Sequence, residues 1–94
     1  MIVAMGVIAW DATVVRGYNI AEATNYNFPV PWRYEITFTN IYYEPWNYIA
    51  LVTPGPGATG CDVSYTDGHL LVYLYDSSGQ NIWTWFSFVV LEVP

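Results

Sequence analysis

Residues 66–75 read Thr66-Asp67-Gly68-His69-Leu70-Leu71-Val72-Tyr73-Leu74-Tyr75, and two features of this stretch decide the fold. Asp67-Gly68 between apolar runs is a strong hairpin signal, because both residues tolerate the positive φ of a tight turn. It predicts paired strands over Gly60 to Tyr65 and His69 to Tyr75. The second strand is apolar on both faces: Leu70, Val72 and Leu74 point one way, Leu71, Tyr73 and Tyr75 the other. A solvated sheet face alternates with polar residues, so two-sided apolarity means that both faces are covered. Residues 82–93 repeat the pattern, with Trp83, Trp85, Val89 and Leu91 opposing Ile82, Phe86, Phe88 and Val90. In a domain this small, one face packs the core and the other packs a neighbouring subunit. A plainer reading is that a few Tyr and Trp cover the surface, since exposed apolar area is normal.

Working outward, the chain reads as strands throughout. Ile2 to Trp10 is a buried strand, and Thr13 to Ala23 is a second, broken near Gly17. In Arg33 to Thr39, Tyr34, Ile36 and Phe38 face one way and Glu35, Thr37 and Thr39 the other. Asn47 to Thr53 follows, and Pro54-Gly55-Pro56-Gly57 ends that ladder because Pro has no N–H to donate. Ser77-Ser78-Gly79 turns the chain into the last strand, Ile82 to Val93. Turn signals every 8–12 residues and a Tyr-, Trp-, Thr-, Val- and Ile-rich composition predict an all-β fold. The expectation is a small antiparallel β-sandwich, jelly-roll-like, of about seven or eight strands, with residues 1–94 as one domain.

Composition narrows the function. Hydrophobic residues make up 54% of the 94 and charged residues 11%, against about 45–50% and 25% in an ordinary domain. A small chain has little interior, so part of its exterior is expected to be buried by association. Eight carboxylates face only Arg16 and Arg33, and there is no Lys. Nucleic-acid binding needs clustered basic residues and is not expected. No run of about 18 apolar residues exists, so membrane insertion is not expected either. Cys61 is alone, which allows no internal disulfide, and reads as a small buried hydrophobe.

The runs VIAW (7–10), GYNIAEAT (17–24), YEITFTN (34–40), NYIALVTP (47–54), DSSG (76–79) and FSFVV (86–90) then follow in a telling order. That order resembles a small β-domain at the C-terminal end of tailed-phage tail fibres and related virion proteins. The resemblance spans about residues 7 to 90. It implies a homotrimeric fibre tip on the virion, the last module of a longer chain, that attaches the virus to a host-surface glycan or protein. The sequence departs from the family pattern at 26–33 (YNFPVPWR) and in the ring-rich loop at 41–46.

Those departures hold the candidate ligand site. Tyr26, Phe28, Trp32, Tyr42, Tyr43, Trp46 and Tyr48 fall within 23 residues, with Asn25, Asn27, Asn40 and Asn47 among them. Rings give rigid contact area, and amides give and accept hydrogen bonds from sugar hydroxyls. Trp46 leads the expected ligand set, followed by Tyr43 and Trp32, then Tyr42, Asn47 and Tyr26. The alternative is that these rings pack on one another and on a neighbouring subunit. Leu71, Tyr73, Tyr75, Trp83 and Trp85 form the expected oligomer interface.

No cofactor and no metal site are expected. Asp62, Asp67, His69 and Asp76 are the only clustered potential ligands; calcium would need about 6–8 oxygens and no Asp-x-Asp-x-Asp loop exists. A three-fold axis could turn one His69 into three ligands, but the plainer reading is a hairpin turn with solvated Asp67 and His69. Arg33 and Glu35 share a strand face and are expected to form an ion pair, within the chain or between subunits. No nucleophile motif or paired-carboxylate spacing argues for an enzyme. The remaining readings are a purely structural trimerisation cap, or a free lectin-like carbohydrate-binding protein.

Overall fold

The computed structural model describes all 94 residues, and the chain forms eight antiparallel strands in two four-stranded sheets, with no helix. The strands are β1 (Ile2–Ile8), β2 (Val14–Tyr18), β3 (Ile20–Tyr26), β4 (Arg33–Phe38), β5 (Tyr48–Pro54), β6 (Gly60–Thr66), β7 (His69–Tyr75) and β8 (Phe86–Glu92). One sheet runs β2-β1-β8-β5 and the other β3-β4-β7-β6. The two inner faces share one core that includes Ala4, Ile8, Tyr34, Ile36, Leu70, Val72, Leu74, Phe86, Phe88 and Val90.

The doubly apolar strands take the central positions. β7 lies between β4 and β6, and β8 between β1 and β5. The Asp67-Gly68 hairpin forms as expected, with φ of 49° and 81°, and Thr66 pairs with His69. The order corrects the jelly-roll expectation. A jelly roll nests its pairs as β1–β8, β2–β7, β3–β6 and β4–β5, and only the first of these forms.

Two boundaries also move. Gly17 does not break its strand. It pairs with Gly6, and the side chain of Ile20 closes over both glycines from the inner side. The break falls at Asn19, the single residue between β2 and β3, where the chain passes from one sheet to the other. Asn19 has φ 67°, a left-handed conformation that Asn adopts more readily than most residues. It is also well tied: its Nδ2 donates to Val3 O (2.9 Å), its Oδ1 accepts from Asn40 Nδ2 (3.1 Å), and its carbonyl accepts from Thr39 N (2.9 Å). The last strand starts at Phe86 rather than Ile82, because Asn81 and Ile82 still bond to β7, through an Asn81–Tyr75 bridge and Ile82 N to Leu74 O (3.1 Å), before the chain passes to the other sheet.

Register assigns the connections to two ends. Ile8 and Pro54 both pair with Phe86, Tyr26 pairs with Arg33, and Gly60 pairs with Tyr75. Connections 9–13, 27–32, 55–59 and 76–85 therefore share one end, and 39–47 and 67–68 lie at the other. At the first end Tyr34 joins the sheets, its hydroxyl donating to Trp10 O (2.7 Å) with Thr84 O at 3.2 Å. Burial pushes this phenol's pKa up to about 12.

Asn19→Ala should lower stability by about 2 kcal/mol, through left-handed strain and the lost side-chain bonds. Asn19→Gly should cost visibly less, because it removes only the bonds; equal losses in a urea titration would refute the corner role. A second expectation concerns acid. Asp76 Oδ1 accepts from Ser78 Oγ (2.7 Å), Ser78 N (2.9 Å) and Gln80 N (3.0 Å), and these bonds hold its pKa below 3.8. A carboxylate with a depressed folded-state pKa stabilises the fold above its unfolded value and loses that contribution as the pH falls through the folded one. The melting-temperature gap between wild type and Asp76→Ala should therefore be constant near neutrality and shrink below pH 3.8.

Candidate functional site

The rings that lie together in sequence separate in space. β4 carries the chain from one end to the other, roughly 17 Å over its six residues. Tyr26 and Trp32 stay at the first end; Tyr42, Tyr43, Trp46 and Asn47 lie at the second.

At the first end the rings are committed to one another. Trp32 stacks on Trp83 at 5.0 Å and 13°, and Tyr34 meets Trp83 edge-on at 5.0 Å. The Trp32 backbone N–H donates to Asn81 Oδ1 at 3.0 Å. Arg33 lies 5.0 Å over the Tyr26 ring and donates to Pro29 O (2.9 Å). It makes no ion pair with Glu35 within the chain. Glu35 instead pairs with His69 Nδ1 across the β4–β7 ladder at 2.5 Å.

The second end is built on a turn. Asn47 N donates to Glu44 O (3.0 Å), so Glu44-Pro45-Trp46-Asn47 closes a tight bend with Pro45 at its second position, where a fixed φ is favourable. This turn sorts the rings of NIYYEPWNY. Tyr43 points inward, 3% exposed, and contacts Tyr48 at 6.2 Å and Phe38 at 6.4 Å. Tyr43 is thus a core residue, and its expected place among the ligand-contacting rings is corrected. Tyr42 and Trp46 point outward, 57% and 60% exposed.

The two outward rings are held rather than loose. Trp46 meets Tyr65 edge-on, 5.5 Å apart and 86° between planes, which makes a right-angled aromatic corner. Tyr42 covers the hairpin turn, with its ring atoms against Gly68, and its hydroxyl donates to Asp67 Oδ1 (3.2 Å). That bond, before any other cause, raises the Tyr42 pKa above 10. Asn47 Nδ2 donates to Glu44 Oε1 (3.1 Å), so an amide and two carboxylates border the rings. Such a set offers flat apolar area together with acceptors for hydroxyl groups.

Sequence reasoning missed Tyr65, which is 40% exposed. It sits opposite Leu70 on the edge strand β6. The signal was present, since a 67–68 hairpin brings position 65 to the same end as that turn, but nothing local ties it to Trp46.

The expected interface residues also disperse. Leu71 is buried within the chain, Tyr73 and Tyr75 are half-buried beside it on β7, and Trp83 is held by Trp32. Trp85 alone of this set is broadly exposed, at 47%.

Comparison with protein-family models, with curated proteins and with solved structures returned no match, so none of them links the chain to tail-fibre domains. Gly68 is the backbone position that seats Tyr42. A Cβ there would come within 2.4 Å of the Tyr42 ring, at φ 81°. Gly68→Ala should lower stability by about 1–2 kcal/mol and displace Tyr42. Tyr42 ring resonances identical to wild type in an NMR spectrum would contradict this seating.

Proposed function

We propose that the chain is a non-catalytic attachment module, a virion tail-fibre tip that binds a host-surface glycan at the end formed by Tyr42, Trp46 and Tyr65. The observation that carries this reading is the Trp46–Tyr65 corner: two large rings, solvent-open, fixed at right angles on a Pro-stiffened turn. Sugar rings stack on such surfaces through their C–H faces, while Glu44, Asn47 and Asp67 supply partners for hydroxyls. The motif order that resembles tail-fibre tip domains supplies the setting, and several copies carried on one fibre would raise a weak single-site affinity by multivalency.

Charge refines the ligand class. Glu44 and Asp67 border the rings, whereas Arg33 belongs to the opposite end and Arg16 to β2. An acidic border disfavours anionic sugars, so the ligand is a neutral glycan. No residue is assigned to catalysis. Glu35 and Glu44 engage different partners on different elements, His69 and Asn47 respectively.

Trp46→Ala should weaken binding to a glycan array, or to host cells, about tenfold, which is roughly 1.4 kcal/mol. Tyr65→Ala should weaken it by a similar factor, with the fold intact by circular dichroism. Full binding by the double variant would exclude this end as the site.

A further inference from the structure

From the distribution of charge and register, we infer that the outer face of the β2-β1-β8-β5 sheet is where a second copy of this chain packs, sheet face to sheet face. The inference does not depend on the glycan reading, since this face lies on the flank of the molecule and the ring corner lies at its end.

Two rows cross all four strands on this face. Tyr18, Met5, Val89 and Leu51 are register partners in turn and make one continuous apolar row. Arg16, Val7, Ser87 and Thr53 make the next row, with a single charge. Tyr18, Met5 and Leu51 are 57%, 46% and 54% exposed, and the two rows border a groove of about 630 Å³. Ile49 and Leu91 extend the apolar area along the strands. Contiguous exposed apolar area of this kind marks an interaction surface.

The placement of the carboxylates leaves this face as the one on which two copies can meet. The chain carries a net charge of −6. Glu22, Glu35 and Asp62 lie on the opposite sheet, and Asp11, Glu44, Asp67 and Asp76 lie in the connections. Only Glu92 belongs to this sheet, and it pairs with Tyr48 at the end of β8. Two copies therefore repel through most orientations but can meet here, where no carboxylate faces the apolar row. Edge-to-edge pairing is blunted in the ways edge strands commonly are: β2 is short and carries Arg16, β5 ends in Pro54, β3 has a bulge beside Glu22, and β6 carries Asp62.

Area sets the strength. Four strands about 4.8 Å apart and about 3.3 Å per residue give a face of roughly 400 Å² in plan, so two faces approach the lower bound of about 1,000 Å² for a specific interface. The pairing is weak, with dissociation in the micromolar range.

Sedimentation velocity on the purified chain tests this. Mass should rise above 10.7 kDa with concentration. It should rise further with added NaCl, because salt screens the like charges. Leu51→Glu, on an exposed edge-strand position, should weaken association at least tenfold. Ser64→Glu, which adds the same charge on the opposite sheet, should associate nearly as wild type. Three results would overturn the inference: a monomer up to about 300 µM in high salt, well above a micromolar dissociation constant; Leu51→Glu associating like wild type; or a monomer whose native mass spectrum carries a bound lipid or other small molecule. Glycan binding by monomeric Leu51→Glu is measured separately, so failure here does not touch the ring site.

Discussion

A two-layer fold has one interior, and everything else in this molecule follows from that constraint. Each sheet can bury only one of its faces in the shared core, so a chain that is 54% hydrophobic must leave apolar side chains outside. The structure locates them. Its accessible surface of 5388 Å² matches the roughly 5,500 Å² expected of a lone chain of this mass, and its radius of gyration of 12.3 Å matches the roughly 12.4 Å expected of a compact one. Compaction is therefore ordinary. What is unusual is the character of the surface: one sheet exposes an apolar row, while the opposite sheet and the connections carry nearly all of the carboxylates.

The two ends use the same residue types for opposite purposes. At one end, Trp32, Trp83, Tyr34 and Phe86 contact one another in sequence, and the buried Tyr34 hydroxyl ties residues 10 and 84 together. Burial of a phenol is tolerable only with such a partner. At the other end, Tyr43 and Tyr48 form an inner pair that supports the turn, and Tyr42 and Trp46 stand outside it. The rings at the bend thus divide between the core and the solvent-open surface. The Pro45 turn separates them by direction.

Much of the fold was legible because its signals are local. Residues 69–75 form the expected strand to the residue, since Asp67-Gly68 fixes where pairing begins. The two-sided apolarity of residues 70–75 and 82–91 was read as a face covered by a neighbouring subunit; within the chain, β7 and β8 take the central positions of their sheets. Strand order was not legible, because no local pattern says that β8 pairs with both β1 and β5. The break at Asn19 was missed because glycine is the stronger generic signal, while Gly17 is required instead for its close approach to Ile20. The candidate site was only half visible. Trp46 and Tyr42 stand out as exposed loop rings, but closeness in sequence grouped them with Tyr26 and Trp32, which one strand length removes to the far end. Tyr65 joins through a hairpin contact, and Tyr43 leaves because the direction of a side chain in a turn depends on the packing below it.

The separation of flank and end has a consequence for how the two proposed surfaces work together. Pairing through the β2-β1-β8-β5 face leaves residues 42–47 and 67–68 uncovered, since they belong to the end of the molecule. Association and ligand binding then do not compete for the same rings. An assembly with each ring corner free gains avidity without any new contact, as long as its spacing suits the ligand array. The acid distribution that would steer copies onto one flank also places Glu44 and Asp67 beside the exposed rings. On the two proposals, a single feature of the sequence, eight carboxylates against two arginines, would bear both on where copies meet and on which ligands are disfavoured.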